Sequence, residues 1–283
     1  MAKTAIMTDS TAYLDDALIK KHKIEVIPLN LHWDGDTLKD NVDITSDAFY
    51  TRLRNSSTIP TTSQPSAGEF GEYFSRLAKD YDNVIVALIS SGISGTVNSA
   101  LLAQKEAKGI NVEVVDTKTA AAGLALVVKA ISSAISGGKS VKDAVALAHE
   151  IVGTMGTYFV VDTLKYLHMG GRIGGASRFF GSALEIKPIL YLNEEGKIDS
   201  LEKVRTKKKA HQKLIELVSE KAGGKKCTVG VMHAQSADDA KKIADQLKDQ
   251  LDVAELGIYD LSPVIGTHAG PGTIGVSVHT VAP

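Results

Sequence analysis

Apolar and polar positions alternate along this chain in blocks. Residues 4–8 form a short β-prone run that stops at Asp9-Ser10-Thr11, residue types that favour helix caps. A helical period follows over 14–21, and 24–31 reads as a second strand. Ser46 is placed to cap a helix over 47–53. Residues 58–65 are polar and carry two prolines, the pattern of a loop. Ser66 and Glu69 have the spacing of a capping box, which predicts a helix to about residue 79. Residues 84–89 are continuously apolar, as in a strand buried on both faces. A Ser- and Gly-rich turn over 90–96 leads to a helix over 97–108. A strand over 112–115 precedes an Ala-rich helix over 120–135, and Ser140 opens another over 141–152.

Strand, small-residue turn and helix in repetition predict a parallel sheet covered on both faces. The polar turns follow the C-terminal ends of the strands, where open α/β sheets bind ligands. The second half reads differently. Residues 158–161 are strand-like and 170–175 are rich in glycine. Two strands, 188–192 and 197–204, flank the turn Asn193-Glu194-Glu195-Gly196 and predict a hairpin. Helix 207–221, strand 228–233, helix 237–251 and strand 256–259 follow, then a β-rich tail over 274–281. The fold class expected is α/β. A Rossmann-like parallel-sheet domain over 1–155 would be followed by an α+β domain with a mixed or antiparallel sheet over 156–283.

Composition narrows the function classes. The 32 basic and 33 acidic side chains leave a net charge of −1 over 283 residues, which argues against nucleic acid as a partner. A single cysteine, Cys227, allows no internal disulfide and no Cys-rich metal site. The most apolar stretch, 120–128, has nine residues, short of the roughly 20 needed to span a bilayer. The N-terminus shows no signal peptide. A soluble, cytoplasmic protein is expected. Aromatic residues are only 5%, so an internal cavity should be lined by aliphatic side chains.

The candidate chemistry lies in the turns. Asp9-Ser10-Thr11 reads as a cap or as support for neighbouring loops. Residues 60–66 are dense in hydroxyls and precede a helix N-terminus, an arrangement suited to anions. In the 90–96 turn, Gly92 and Gly95 permit close approach of backbone to a ligand, and Ser94 stands at the start of a helix. His268 sits in a Gly-bordered turn with Gly270-Pro271-Gly272 and could point into a cleft. None of the eight histidines has metal-site spacing, so neither a metal nor a cofactor is expected. Arg172 and Arg205 head the one notable basic cluster, suited to phosphate or an acidic partner.

Seven motifs in register resemble the DegV family: Met7 to Thr11 (MTDST), Thr61 to Ser66 (TTSQPS), Ser90 to Ser99 (SSGISGTVNS), Val161 to Ile173 (VDTLKYLHMGGRI), Lys187 to Leu190 (KPIL), Glu202 to Ala210 (EKVRTKKKA) and Ile265 to Gly272 (IGTHAGPG). The resemblance implies a two-domain α/β protein that holds a long-chain fatty acid. Such a protein would serve as the binding subunit of a bacterial fatty acid kinase, presenting the carboxylate to a separate ATP-dependent subunit for conversion to an acyl phosphate. It implies Thr62 and Ser94 as carboxylate ligands, with the adjacent Thr61 as the alternative to Thr62, and His268 as the third head-group residue. Ser63, Gly95 and Gly270 would lie in supporting loops, and Arg172 and Arg205 would serve phosphoryl transfer or kinase docking. His168-Met169 departs from the family, which often carries another charge there.

The physical chemistry is consistent with that expectation. Burying a sixteen-carbon chain is worth on the order of 10 kcal/mol, and helix 120–135 offers aliphatic side chains to line a tunnel. The buried anion needs hydrogen-bond donors of the kinds found in these loops. Transient membrane contact is compatible with such a carrier. No GxxxxGK[ST] phosphate loop is present, so no ATP site is expected on this chain. Two rivals remain at this point. One is a Ser-dependent esterase or acyltransferase using Ser94 and His268, although Gly92-Ile93-Ser94-Gly95 lacks the full nucleophile-elbow spacing and no triad acid stands out. The other is a regulatory module docking through the Arg205 stretch.

Overall fold

A computed structural model describes residues 2–181 and 186–281. The chain begins β1 (Thr4–Asp9), α1 (Asp16–His22), β2 (Ile24–Ile27), β3 (Asn30–Trp33), β4 (Asp36–Lys39), α2 (Ser46–Asn55) and β5 (Thr61–Ser63). It continues α3 (Ala67–Leu77), β6 (Asn83–Leu88), α4 (Thr96–Glu106), β7 (Asn111–Asp116), α5 (Ala122–Ser136) and α6 (Val141–Thr154). The second half runs β8 (Gly156–Val160), α7 (Lys165–Met169), β9 (Lys187–Leu192), β10 (Ile198–Val204), α8 (Lys207–Ala222), β11 (Cys227–His233), α9 (Ala237–Gln250), β12 (Val253–Asp260), α10 (Pro263–Ala269) and β13 (Ile274–Thr280).

The parallel sheet has the order β2-β1-β6-β7. Its central strand β6 is apolar from Val84 onward because both its faces are covered. The α3–α4 pair packs one face and α5 with α6 packs the other. The mixed sheet has the order β10-β9-β8-β13-β11-β12. Its one parallel pair, β11–β12, is joined through α9, and the other pairs are antiparallel. α8 and α9 cover one face of it. α5 covers part of the other, so it lies between the two sheets, which explains its burial all round from Ala122 to Val128. Close packing there is enforced by glycines: a Cβ on Gly230 would stand 2.8 Å from the Ala122 methyl.

Several expectations change by small amounts. The Ser66–Glu69 capping box forms, and Ser140 caps α6. Thr45, not Ser46, caps α2; the Ser46 hydroxyl instead donates to the Leu261 carbonyl at 3.1 Å. Asp15 caps α1, whereas Asp9 caps a single 3₁₀ turn over Ser10–Ala12. The strand expected over 24–31 is broken around Pro28, which has no N–H for a ladder. The polar stretch 58–65 is not wholly a loop. Thr61–Ser63 pairs with β3 in a third, antiparallel sheet of order β4-β3-β5. This small sheet and α2 pack into the second half: Leu31, Trp33 and Phe49 share one core with Phe159, Leu190 and Leu261.

Candidate functional site

In the order β2-β1-β6-β7 the winding of the chain reverses between β1 and β6, and the crevice at their C-terminal ends is the place for a ligand. Asp9 is the last residue of β1 and is fully buried. One carboxylate oxygen accepts from Ile89 N at 2.7 Å, the other from Thr11 N at 3.0 Å and from the Thr11 hydroxyl. Its complete burial raises its pKa, against the lowering by these donors. Asp9 therefore fastens the end of β1 to the end of β6.

The turn after β6 delivers Ser94. Its Oγ lies 2.8 Å from Thr96 Oγ1. The N-cap of α4 is Gly95, which has no side chain to cap the helix, and Ser94 Oγ meets Thr96 N only at 3.4 Å. A Cβ on Gly95 would stand 2.7 Å from the Gln64 amide nitrogen, so the glycine lets the β5 segment lie against this turn. β5 delivers Thr62, which is half-buried, while Thr61 is exposed. Ser63 bonds His32 Nε2 at 2.9 Å and Asn30 Nδ2 at 3.2 Å, holding β5 on β3.

His268 lies in the last turn of α10, not in a free turn as the sequence suggested. Its Nε2 is 2.7 Å from Thr62 Oγ1. Its Nδ1 is buried and has no hydrogen-bond partner among the described residues. Gly170 makes room for the ring, since a Cβ there would come 2.0 Å from Nδ1. Gly270 ends the helix at φ +78°, and a Cβ on it would strike the Tyr166 ring at 2.3 Å. Burial, and then the charge of Arg172, push the His268 pKa down to about 4. The imidazole is thus neutral at pH 7. With Nδ1 unpartnered, the proton belongs on Nε2, where it donates to Thr62, because a buried N–H without an acceptor is the more costly arrangement. The Thr62 hydroxyl proton is then free to point elsewhere.

Arg172 completes the corner. Its Nε donates to the Ile93 carbonyl at 3.1 Å and its Nη1 to the Gly170 carbonyl at 2.8 Å. These side chains open onto a cavity between the two sheets whose walls are mostly apolar with a few convergent polar groups, the composition typical of small-molecule sites. Thr62, Ser63, Gln64, Ser94, Arg172 and His268 are among its polar lining; Leu29, Ile89, Leu192, Ile198, Met232 and Ile265 represent its walls. Phe159 is the single Phe, Tyr or Trp ring among the described lining residues. Helix α5 contributes less than expected: Ala120 and Ala121 reach the cavity just before it begins, and its body is packed between the sheets.

The structure gathers Thr62, Ser94, His268 and Arg172 around one cavity, with Ser63 on its wall and Gly95 and Gly270 in the adjoining turns. It does not bring Arg205 there. Arg205 is exposed between β10 and α8 and lines a different groove, with Asp162, Lys165, Phe179 and Lys187. The two arginines expected as one basic cluster are divided because Arg172 turns inward onto backbone carbonyls. A nucleophile–base pair is not assembled either. Ser94 bonds Thr96, His268 bonds Thr62, and no acid meets His268 Nδ1 among the described residues. No group of three or more His, Cys, Asp or Glu side chains able to hold a metal is found among the described residues.

Sequence reasoning missed Thr96, Gln64 and Asp40. Asp40 is fully buried below α10, although its neighbours Lys39, Asn41 and Asp43 give it the look of a surface loop. Thr96 could be found only through the spacing of its hydroxyl two residues after Ser94.

The model of the DegV family of uncharacterised proteins matches residues 3–281. The chain belongs to the DegV family. A DegV domain-containing protein of Halalkalibacterium halodurans is 39% identical over 279 residues, 98% of each chain. Among solved structures, a DegV family protein from Thermus thermophilus, described as binding fatty acid, superposes with a TM-score of 0.93 at 32% identity, covering 99% of this chain and 100% of that one. DegV of Bacillus subtilis, described as a fatty acid binding protein, gives 0.91 at 34% identity over 99% and 100% of the two chains. The parallel four-stranded sheet and separate mixed sheet of this chain are thus the DegV architecture. Among the described residues, no helix of this DegV protein is long and apolar enough to cross a membrane.

Proposed function

We propose that this chain binds a long-chain fatty acid in the cavity between its sheets and presents the carboxylate to a separate ATP-dependent kinase subunit. The observation that carries the binding is the polarity of the cavity: a largely aliphatic enclosure with a cluster of neutral hydroxyl donors, a neutral imidazole and one arginine. An alkyl chain takes the walls, and a carboxylate takes Thr62 and Ser94, with His268 behind Thr62. The fatty-acid-binding relatives in the DegV family support the same reading.

In the presentation step, a carboxylate oxygen attacks the γ-phosphorus of ATP held by the other subunit, ADP leaves, and an acyl phosphate forms. Arg172 beside the head group and the exposed Arg205 are the cations suited to the phosphoryl group and to docking. No GxxxxGK[ST] sequence occurs in the chain, and in this reading the separate subunit supplies the ATP.

Native protein extracted with organic solvent should yield a long-chain fatty acid by mass spectrometry, in near-equimolar amount. If none appears while a mock-loaded control gives one, the binding reading is wrong. Palmitate-loaded protein, ATP and a fatty acid kinase subunit should yield a hydroxamate on trapping with hydroxylamine. Its absence, with binding intact, removes the kinase role alone.

A further inference from the structure

The hydroxyl behind Ser94 has a direction that the fold imposes. Thr96 is fully buried in the first turn of α4, and its Oγ1 lies 2.8 Å from Ser94 Oγ. Two arrangements are open to this pair. If Ser94 donated to Thr96, the Thr96 hydroxyl proton would be a buried donor with no acceptor among the described residues, an unfavourable state. If Thr96 donates to Ser94, its proton is satisfied and the Ser94 proton is turned out to the cavity. The Thr96 N–H at 3.4 Å adds weakly to the donors behind Ser94 Oγ. Across the corner, His268 Nε2–H does the same to Thr62.

We propose that Thr96 is a positioning residue that fixes Ser94 as a donor toward the cavity, so that the site is polarised for an ionised carboxylate. Thr96 touches no ligand in this role. Both site hydroxyls are acceptors from the protein side and donors from the cavity side. A carboxylate, which only accepts, matches two such donors. A long-chain alcohol matches them less well, because its oxygen carries no charge and makes weaker hydrogen bonds to the two donors than a carboxylate does.

The proposal rests on the reading of the cavity as a fatty-acid site, and the test separates the two. Palmitate and hexadecanol compete against a fluorescent fatty acid on wild type, Thr96→Val and Thr96→Ser. Thr96→Val keeps the shape and removes the hydroxyl, and it should weaken palmitate roughly tenfold while hexadecanol changes by less than about threefold. Thr96→Ser lacks the methyl but keeps the hydroxyl, and it should restore palmitate to near the wild-type affinity. A packing role gives the reverse order, with Val tolerated and Ser impaired, and overturns the proposal. Equal weakening of palmitate and hexadecanol in Thr96→Val, or no weakening of either, overturns it as well. A wild-type protein that binds neither ligand sinks the fatty-acid reading itself and this proposal with it.

Discussion

At the N-terminus of α10, the buried Asp40 has each carboxylate oxygen occupied. Oδ2 accepts from Ser10 Oγ at 2.6 Å and Oδ1 from Val264 N at 3.2 Å, while Ser10 Oγ also accepts from Leu29 N at 3.1 Å. At the other end of the same seven-residue helix, about 10 Å away at 1.5 Å per residue, His268 is only half satisfied. Nε2 meets Thr62, Nδ1 meets nothing among the described residues, and the ring borders a cavity. A completed network is what holds the helix against β3 and β4. An incomplete one beside open space is what a binding site requires: with His268 Nε2–H donating to Thr62, the Thr62 hydroxyl proton stays unspent for a ligand. The two ends also titrate oppositely: burial raises Asp40 to about 6, whereas burial and then Arg172 lower His268 to about 4.

The largest effect expected is on the completed end. Asp40→Ala strands the Ser10 hydroxyl and the Val264 N–H, each at about 1–3 kcal/mol. The protein should lose about 2–6 kcal/mol in urea unfolding, and an unchanged midpoint would contradict the account of α10 anchoring. Next comes pH. The folded chain holds a proton on Asp40 more tightly than the unfolded chain, so this group adds stability as pH falls from about 6 to the unfolded carboxyl value near ~3.9. His268 does the reverse. Its contribution is complete above the unfolded value of about 6.5 and is lost as pH falls to about 4. Each swing is worth about 3 kcal/mol, and the two offset one another. Asp40→Asn should therefore make the protein more acid-sensitive, and His268→Gln less so, in melts between pH 7.5 and 4.5. Matching pH profiles in the two variants would erase the contrast.

Thr62→Val and Ser94→Ala should each weaken fatty acid binding roughly tenfold and cost about 1–3 kcal/mol of stability, because each strands one buried donor, His268 Nε2–H or the Thr96 hydroxyl. Isothermal titration with palmitate checks this, and a loss of stability without loss of affinity would move these hydroxyls to the completed class. The smallest effect belongs to the walls. Leu192→Ala should reduce affinity for palmitate and hexadecanol alike by about threefold, since a flexible alkyl chain refills part of the space vacated. A loss confined to palmitate would place Leu192 at the head group.

The parallel sheet and its helices were legible because burial on both faces writes an uninterrupted apolar run, as in residues 84–89, and because Ser66, Glu69 and Ser140 cap helices through local spacing. The β9–β10 hairpin was legible for the same reason, since Asn193 to Gly196 is a local turn. The strand at Thr61–Ser63 was not, because three hydroxyl residues become a strand only through pairing with β3. The motif resemblance brought Thr62, Ser94 and His268 together before any geometry was known. The joint placement of Arg172 and Arg205 failed, since sequence carries the charge of an arginine and not its direction.

The sequence by itself determined the periodicities, the caps, the glycines at the tight approaches and the residue types that can bind an anion, all properties of neighbours within a few positions. Only the tertiary structure decided that Thr62 meets His268 across 206 residues, that Asp40 is buried under α10, and that α5 fills the space between the sheets while Ala120 and Ala121 alone of that stretch reach the cavity. The pKa values of about 6 and about 4 belong to that second class. Desolvation is set by everything that packs around a group, and most of it comes from distant parts of the chain.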